Sequence, residues 1–334
     1  MAAHLTDKEN YMRVMRHEVP EWVPPMMVFS PGTMCGPPLF GAMPEPGAEV
    51  FYDLFGVPMV MEPKSGPIPK PGAFILEDIT KWRDVIKRPA IIDQIDWEVA
   101  SHDALKDRDP DILKVGGASL GNGYFMNLTY FMGFDNALIA CMEEPEEVKA
   151  LLNFILEMNL ELGKKLIYYY KPDMFHMGDD IAHERAPFVS HELFLDIFEP
   201  LWRAQIAIFK EADIPCEHHN CGAFADFVPY IVDMGFDSWN PAQPTYNDLP
   251  RIKAEYGDKM TICGGFESNG FCSSPDTTEE ECRAEVRRVM DSLAPGGGFA
   301  FGAFVMGAMD DPFVIERNRI LNEEYELNKF KYYN

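Results

Sequence analysis

The sequence predicts an α/β fold that consists of a single (β/α)8 TIM barrel. Short apolar segments alternate with helical segments along most of the 334 residues, which is typical of parallel strands joined by crossover helices. Eight candidate strands begin near residues 24, 57, 112, 174, 214, 236, 260 and 299. Eight such units in a chain of this length match a TIM barrel. A doubly wound open sheet is the alternative, but no GxGxxG or P-loop motif follows any of the strands.

The predicted helices have recognisable start and stop signals. Thr6-Asp-Lys-Glu9 is a capping box and predicts a helix ahead of the first strand. Apolar residues recur at helical spacing from about Glu144 to Tyr170, and a further helix is predicted over Thr278–Leu293. Asp311 is expected to cap the last helix. Because no linker or repeat divides the chain, residues 1–334 are predicted to form one domain with an N-terminal helical extension.

Composition excludes some partners. The chain has 54 acidic and 29 basic residues, a formal net charge of −25, which argues against binding to nucleic acid or to an anionic membrane surface. Its seven cysteines are scattered without a CxxC pair, as expected in a reducing compartment. The chain has neither an apolar signal core nor a long apolar run, so we expect a cytoplasmic protein.

The segment from Ile214 to Gly222 is dense in residue types that bind metals. In an extended chain alternate side chains share a side, which places Glu217, His219 and Cys221 together. His219 and Cys221 are then able to contact one metal ion from a single strand end. A lone His-x-Cys pair is more often an inert buried cysteine beside a hydrogen-bonded histidine, so the metal hypothesis depends on the neighbouring strand ends.

In a TIM barrel, functional side chains lie at the carboxyl ends of the strands. Several predicted strands end in such groups. They are Asp179, Asp180, His183 and Glu184 after the fourth strand, His219 and Cys221 on the fifth, Trp239, Asn240 and Gln243 on the sixth, Cys263, Glu267 and Asn269 on the seventh, and Ala303, Phe304 and Met306 on the eighth. Each has an ordinary structural explanation when taken alone. Together they predict one cavity with acidic, imidazole and thiol groups at its mouth.

Several stretches of this sequence resemble the uroporphyrinogen decarboxylase superfamily over nearly the whole chain. They are Leu5-Thr-Asp-Lys-Glu-Asn-Tyr11, Gly178-Asp-Asp180, His219-Asn-Cys-Gly222 and the glycine-rich turn before the last strand. The resemblance implies a TIM barrel. It also implies one of two activities, because the superfamily includes true decarboxylases and zinc-dependent methyltransferases that work with corrinoid proteins.

The decarboxylases of this superfamily carry an arginine-rich motif after the first strand, which holds the carboxylates of the porphyrin. The corresponding segment here, Phe29–Gly36, contains no arginine. A site without arginine on a protein of charge −25 suits a polycarboxylate substrate poorly. The resemblance therefore favours the methyltransferase branch.

The zinc ligands implied by the resemblance remain open between two sets. Thiol-methylating members complete a His/Cys/Cys site with a cysteine near the last strand, but Phe301–Gly307 contains none. Ether-cleaving members of anaerobic O-demethylase systems have a Glu–Glu–His pattern, which Glu184, Glu199 and His219 resemble in spacing. Cys221 is a further candidate ligand, and Cys263 a weaker one. Carboxylate ligands make zinc harder, which favours an ether oxygen over a thiol.

The predicted function is zinc-dependent cleavage of a phenyl methyl ether, with transfer of the methyl group to the Co(I) of a corrinoid protein. The chain has no Asp-x-His-x-x-Gly corrinoid motif, so the cobalamin is expected on a separate partner. An acid is expected to assist departure of the phenolate, and the apolar pocket is expected to hold the aromatic ring. The candidate acids are Asp179, Asp180 and His183, and the candidate pocket residues are Phe29, Met177, Trp239 and Phe304.

Two alternatives remain for this function. The first is methyl transfer from a methylated corrinoid protein to a thiol such as coenzyme M. The second is a non-catalytic barrel that binds a tetrapyrrole or corrinoid.

Overall fold

The structure is a computed structural model that describes residues 5–28, 30–37, 39, 50–62, 66–117, 123–308 and 310–333. A parallel sheet lies at its centre, in the order β1-β5-β6-β7-β8-β9-β10, and an antiparallel sheet of β2, β3 and β4 lies beside it. The strands are β1 (Met34–Cys35), β2 (Phe51–Tyr52), β3 (Pro58–Glu62), β4 (Gly66–Pro69), β5 (Val115–Gly116), β6 (Met174–Gly178), β7 (Cys216–His219), β8 (Ser238–Ala242), β9 (Thr261–Gly265) and β10 (Phe299–Gly302).

Helices follow most of the parallel strands and cover the outside of the sheet. They are α1 (Asp7–Met15), α2 (Trp82–Val85), α3 (Ile91–Gln94), α4 (Trp97–Leu105), α5 (Tyr124–Met132), α6 (Phe134–Glu143), α7 (Pro145–Tyr170), α8 (His191–Leu193), α9 (Glu199–Glu211), α10 (Val228–Met234), α11 (Leu249–Tyr256), α12 (Glu279–Leu293) and α13 (Pro312–Asn328). Short 3₁₀ turns occupy Ile79–Lys81, Ala225–Phe227 and Phe271–Ser273, and a π-helical turn, Phe194–Phe198, joins α8 to α9. No helix among the described residues is both long and apolar enough to cross a lipid bilayer.

The predicted helix signals are confirmed where they are strongest. Thr6 accepts a hydrogen bond from the Glu9 N–H and the Glu9 carboxylate accepts one from the Thr6 N–H, so the capping box starts α1. Thr278 and Asp311 cap α12 and α13 through their side chains. Helices α5 and α6 were not predicted, because their apolar residues are not confined to one face.

The two edges of the parallel sheet lie close together. Pro25 pairs in parallel with Phe301 of β10, and only residues 26–33 separate Pro25 from β1 at the opposite edge. Helix α1 packs against the amino ends of the strands, where Thr261 Oγ1 donates to the Val14 carbonyl at 2.6 Å. A hydrophobic cluster fills the space between them with Tyr11, Val14, Met15, Val28, Leu113, Val115, Met174, Cys263 and Ala300. The sheet is therefore curled around an interior, as the predicted barrel requires.

The second predicted barrel strand, which was placed near residue 57, is wrong. Those residues form β3, which pairs antiparallel with β2 and β4 outside the barrel. The barrel strand is instead β1, inside the Gly/Pro-rich segment that follows the first predicted strand, and it pairs with β5. A short apolar run has the same appearance in either kind of sheet, so the sequence did not distinguish them.

Side chains of the central strands alternate between the barrel interior and the helical layer. On β6, Phe175 faces outward and stacks on Phe209 of α9 with ring centroids 3.8 Å apart. Its neighbour His176 faces inward and pairs in register with Glu217 of β7. The next inward pair in the register is Gly178 and His219, at the carboxyl ends of β6 and β7. This alternation determines which residues reach the mouth of the barrel.

Candidate metal centre

Asp180, His219 and Cys221 converge at the carboxyl ends of β6 and β7. Each offers one potential ligand atom, and these atoms all lie within 4.8 Å of one another. The Cys221 Sγ is 3.8 Å from the His219 Nε2, which is 3.9 Å from the Asp180 Oδ1. Within the part of the chain that the structure describes, no other group of three such residues meets this distance. We call these three residues the metal cluster.

The imidazole of His219 is oriented by the neighbouring strand. Its Nδ1 lies 2.7 Å from the Oδ1 of Asn240 on β8. An amide oxygen only accepts, so we assign the proton to Nδ1, which leaves the lone pair of Nε2 directed to Cys221 and Asp180. Burial lowers the pKa of His219, so the ring stays neutral. A neutral imidazole whose second nitrogen is held in this way is the form that binds metals.

Asp180 and Cys221 are tied to each other through the backbone. The Cys221 N–H donates to the Asp180 Oδ1 at 2.7 Å. Burial, together with the negative charges of Asp180 and Glu267, raises the pKa of the Cys221 thiol to about 12. A bound cation reverses this effect, because it stabilises the thiolate and offsets the neighbouring negative charges. The surroundings of Cys221 therefore suit a metal ligand better than a free thiolate.

The chain leaves the metal cluster through a turn that only glycine fits. Gly222 has a φ of +85°, and a Cβ there would lie 2.6 Å from the carbonyl oxygen of His183. The Gly222 N–H donates to the Gln243 side chain at 2.6 Å, and the Asn247 side chain donates to the Gly222 carbonyl at 2.9 Å. These contacts hold the backbone of Gly222 in place and so determine the position of Cys221, which precedes it.

The two glutamates expected as zinc ligands do not belong to the metal cluster. Glu184 is exposed on the turn after β6. Glu199 begins α9, where its carboxylate accepts from the Arg203 Nε at 2.7 Å. Asp180, which was expected as an acid, occupies the position beside His219 instead.

Comparison with known proteins places this chain in a family. The family model described as uroporphyrinogen decarboxylase (URO-D) matches residues 46–303. The chain belongs to the uroporphyrinogen decarboxylase family. A solved structure, a methyltransferase from Methanosarcina mazei, superposes with a TM-score of 0.62 at 13% identity over 97% of this chain and 100% of that one. No curated protein sequence matches. The predicted TIM-barrel fold and family resemblance are thus confirmed.

Asp179 has a structural role in this family member. Its carboxylate is fully buried and accepts hydrogen bonds from the N–H groups of Tyr124, Phe125 and Met126 and from the Trp202 Nε1, at 2.9 to 3.1 Å. It therefore caps the amino end of α5. Burial raises its pKa to about 6, but all four neighbours are donors, so a proton on this carboxyl group has no acceptor there. The expectation that Asp179 donates a proton to substrate is not supported by these contacts.

His183 lies on the turn beside the metal cluster with its ring exposed. The ring stacks on Phe188 with centroids 5.1 Å apart, and its backbone carbonyl accepts from the Ala223 N–H at 2.7 Å. Its position at the mouth leaves it available to a ligand in the barrel.

Of the four expected pocket residues, two face the wrong side of the sheet. Met177 and Trp239 are 2% and 0% exposed and pack in the layer between strands and helices. The inward positions on their strands belong to neighbouring residues, because side chains alternate. Phe304 is 43% exposed beyond the end of β10. Phe29 lies outside the described residues.

A polar pair beneath the metal cluster was missed by the sequence reasoning. The His176 Nδ1 lies 3.0 Å from the Glu217 Oε1, and the Ser238 Oγ donates to the Glu217 Oε2 at 3.2 Å. The rings of His176 and His219 are 5.6 Å apart. Cys263 lies deeper, buried in the cluster inside the barrel. Strand alternation places Glu217 on the same side as His219, and that could have indicated Glu217. Its partner His176 is identified only by the pairing of β6 with β7.

Proposed function

We propose that this protein is a zinc-dependent methyltransferase that demethylates a methoxylated aromatic compound and passes the methyl group to a separate corrinoid protein. The observation that carries the proposal is the metal cluster of Asp180, His219 and Cys221 at the carboxyl ends of neighbouring strands. Functional groups of TIM barrels lie at this end. The likeness to a solved methyltransferase in fold supports the same class of reaction.

The donor atoms of the metal cluster fit zinc. Zinc binds imidazole nitrogen, thiolate sulfur and carboxylate oxygen, and a tetrahedral site separates these donors by about 3.3 to 3.6 Å. The observed separations of 3.8 and 3.9 Å need only small side-chain movements to reach that range. The orientation of His219 by Asn240 is also the support that metal-ligating histidines receive in proteins.

Asp180, His219 and Cys221 would hold the zinc ion, which would supply a Lewis acid for the ether oxygen. In the reaction, the Co(I) electron pair forms the bond to the methyl carbon, and the electrons of the methyl–oxygen bond leave with the phenolate. The phenolate takes a proton from solvent or from an acid at the mouth, where His183 is exposed. The carboxylate of Asp180 makes the donor set harder than one dominated by thiolates, which suits an oxygen substrate.

The rim of the barrel supports an apolar substrate. Phe271, Phe304 and Met306 follow β9 and β10 at the carboxyl end and are 50%, 43% and 43% exposed. The segment Phe29–Gly36 has no arginine that could hold substrate carboxylates. A flat aromatic ether is therefore a better match than a polycarboxylate.

The test is to mix the zinc-loaded protein with a reduced corrinoid protein and a series of aryl methyl ethers, and to follow the cobalamin spectrum. We expect methylation of the corrinoid with at least one ether and none with the His219→Ala variant. Failure with every ether, combined with methyl transfer from methylated corrinoid to a thiol, assigns the thiol reaction instead. A protein that binds corrinoid without zinc and catalyses neither reaction is a binding barrel, which overturns the proposal.

A further inference from the structure

Three aromatic rings lead from the core to the surface beside the metal cluster. Phe125, in the first turn of α5, stacks on Phe188 with an interplanar angle of 18° and ring centroids 5.7 Å apart. Phe188 also stacks on His183, with an angle of 22° and centroids 5.1 Å apart. Phe125 is 2% exposed, Phe188 is half-buried and His183 is exposed. These three rings, which we call the aromatic stack, therefore end in an exposed imidazole.

The aromatic stack is braced from the side. Phe134, the first residue of α6, meets Phe188 edge to face with centroids 4.7 Å apart, and meets Phe125 in the same way at 6.2 Å. Stacked and edge-to-face arrangements are the preferred geometries of aromatic pairs. The imidazole is also held at its edge, because the Arg185 N–H donates to the His183 Nδ1 at 3.4 Å. A ring held by its face and its edge loses little side-chain entropy when a ligand packs on it.

The backbone places His183 against the turn that carries Cys221. The His183 carbonyl accepts from the Ala223 N–H at 2.7 Å. A Cβ at Gly222 would lie 2.6 Å from that carbonyl oxygen and 3.0 Å from the His183 Cα. Gly222 follows Cys221 directly in the chain, and Asp180 lies on the same connection as His183. His183 is thus a neighbour of two of the three residues of the metal cluster.

The exposed phenylalanines of the rim lie on more distant strands. The metal cluster lies at the ends of β6 and β7, whereas Phe271 follows β9 and Phe304 follows β10. Neighbouring strands are about 4.8 Å apart, and β8 lies between β7 and β9 in the sheet. Among the described residues, Phe188 covers one face of the His183 ring and His183 remains exposed, so the other face is open to a flat ligand.

We propose that the His183 ring is the surface on which the aromatic ring of the substrate stacks, with the ether oxygen directed to the metal cluster. The inference rests on the proposed function in so far as the ligand is an aromatic ether, and it assigns the binding of the aromatic ring to one residue. A benzene ring placed there extends the aromatic stack by one member, in a geometry that aromatic pairs favour. His183 then acts by binding the ring and not by donating a proton.

The experiment compares methoxybenzene with cyclohexyl methyl ether, which carries the same ether group on a saturated ring. Titration calorimetry of the zinc-treated protein gives both dissociation constants. We expect wild type to bind methoxybenzene about fivefold more tightly, because aromatic stacking adds attraction beyond the area buried. His183→Ala should abolish this preference and raise the dissociation constant of methoxybenzene about tenfold. His183→Phe should retain the preference, because it retains a ring.

The matched control is His191→Ala. His191 is likewise an exposed histidine that contacts aromatic rings, those of Phe227 and Tyr230, but it lies at the start of α8. Its replacement should leave both dissociation constants within about twofold of wild type, as is usual for surface substitutions outside a site. Circular dichroism checks that every variant is folded. An equal loss of affinity in His191→Ala would contradict a specific role of His183.

The outcomes separate this inference from the proposed function. Unchanged dissociation constants and KM in His183→Ala, with methyl transfer intact in wild type, overturn the role of His183 alone. A preference for methoxybenzene that disappears in His183→Ala, without methyl transfer to a corrinoid protein, supports the role of His183 and overturns the reaction. A fall of kcat in His183→Phe at unchanged dissociation constants identifies His183 as the acid and overturns the inference. A wild type that binds the two ethers equally, or binds neither, overturns it as well.

Discussion

Two adjacent histidines on β7 lie in opposite surroundings. His218 points into the helical layer, where its ring lies 4.4 Å from Trp202 and 5.2 Å from Phe224. Neither of its ring nitrogens has a hydrogen-bond partner within the described part of the chain, and burial lowers its pKa well below the usual value. His219 points into the barrel, where Asn240 orients it toward Cys221 and Asp180. Because side chains alternate along the strand, His218 packs in the helical layer and His219 is the candidate metal ligand.

The same division separates Asp179 from Asp180 at the end of β6. Asp179 is buried under four N–H donors and caps α5, whereas the Asp180 side chain is 32% exposed at the mouth. In both pairs, the residue that faces the barrel interior or its mouth is the candidate for chemistry. Four experiments sharpen or break this comparison.

The largest effect is expected from His219→Ala. Loss of an imidazole ligand should raise the zinc dissociation constant at least about 100-fold, more than is usual for loss of a supporting residue. His218→Phe should keep zinc affinity within about twofold, because it changes only the outer layer. Zinc per chain after dialysis, with circular dichroism to confirm the fold, measures both. Full zinc occupancy in His219→Ala would remove this histidine from the site.

Asp179→Ala should lower the free energy of unfolding by about 3 kcal/mol, since several buried N–H groups lose their acceptor at once. Asp180→Ala should cost less stability in the metal-free protein but weaken zinc binding. Urea denaturation of metal-free samples, followed by zinc titration, checks the pair. If Asp179→Ala is as stable as wild type and binds no zinc, the two aspartates have been assigned the wrong way round.

His218 should make the metal-free protein sensitive to acid. Its folded pKa lies below the unfolded value of about 6.5, so the unfolded state binds the proton more readily as pH falls below 6.5. Stability should then fall by up to about 1.4 kcal/mol per pH unit from this group. His218→Phe should flatten that part of the profile between about pH 6.5 and 5. An unchanged slope in urea denaturation at several pH values would contradict the buried, neutral histidine.

The smallest effect is expected from Glu184→Gln and Glu199→Gln. Neither carboxylate belongs to the metal cluster, so zinc affinity should stay within about twofold of wild type. Glu199→Gln should also lose an ion pair with Arg203 that contributes about 0.5 kcal/mol. Chelator competition measures the affinities. A strong loss in both variants would support the Glu–Glu–His ligand set and contradict the assignment of zinc to the metal cluster.

Local signals predicted much of this fold. The capping residues Thr6, Thr278 and Asp311 started helices where expected, because a side chain that caps acts within three residues of itself. The alternation of strands and helices predicted the barrel because it is a pattern of many short segments, and an error in one segment does not remove it. The second strand failed because Met34–Cys35 is too short to show any periodicity.

Only the part of the site that depends on the alternation of side chains along a strand was predictable from the sequence. His219 and Cys221 were predicted to lie together, and their ligand atoms do lie close, although Cys221 follows the end of β7 at His219. Met177 and Trp239 were predicted to line the pocket because they are apolar, but strand alternation turns both side chains away from the barrel interior. Asp180 was predicted among the groups that follow the fourth strand, but its place beside Cys221 depends on a turn whose path is set by contacts across the barrel.

The contacts of Asp179 and Asp180 depend on the exact number of residues between β6 and the turn that follows it. Deleting one residue from this segment would bring the wrong side chain to α5 and pull Asp180 away from the Cys221 N–H. A deletion between His219 and Gly222 would also move Cys221, because the turn at Gly222 packs tightly against the His183 backbone. Changes of length are therefore expected to be tolerated better at exposed positions of the connections farther from the metal cluster.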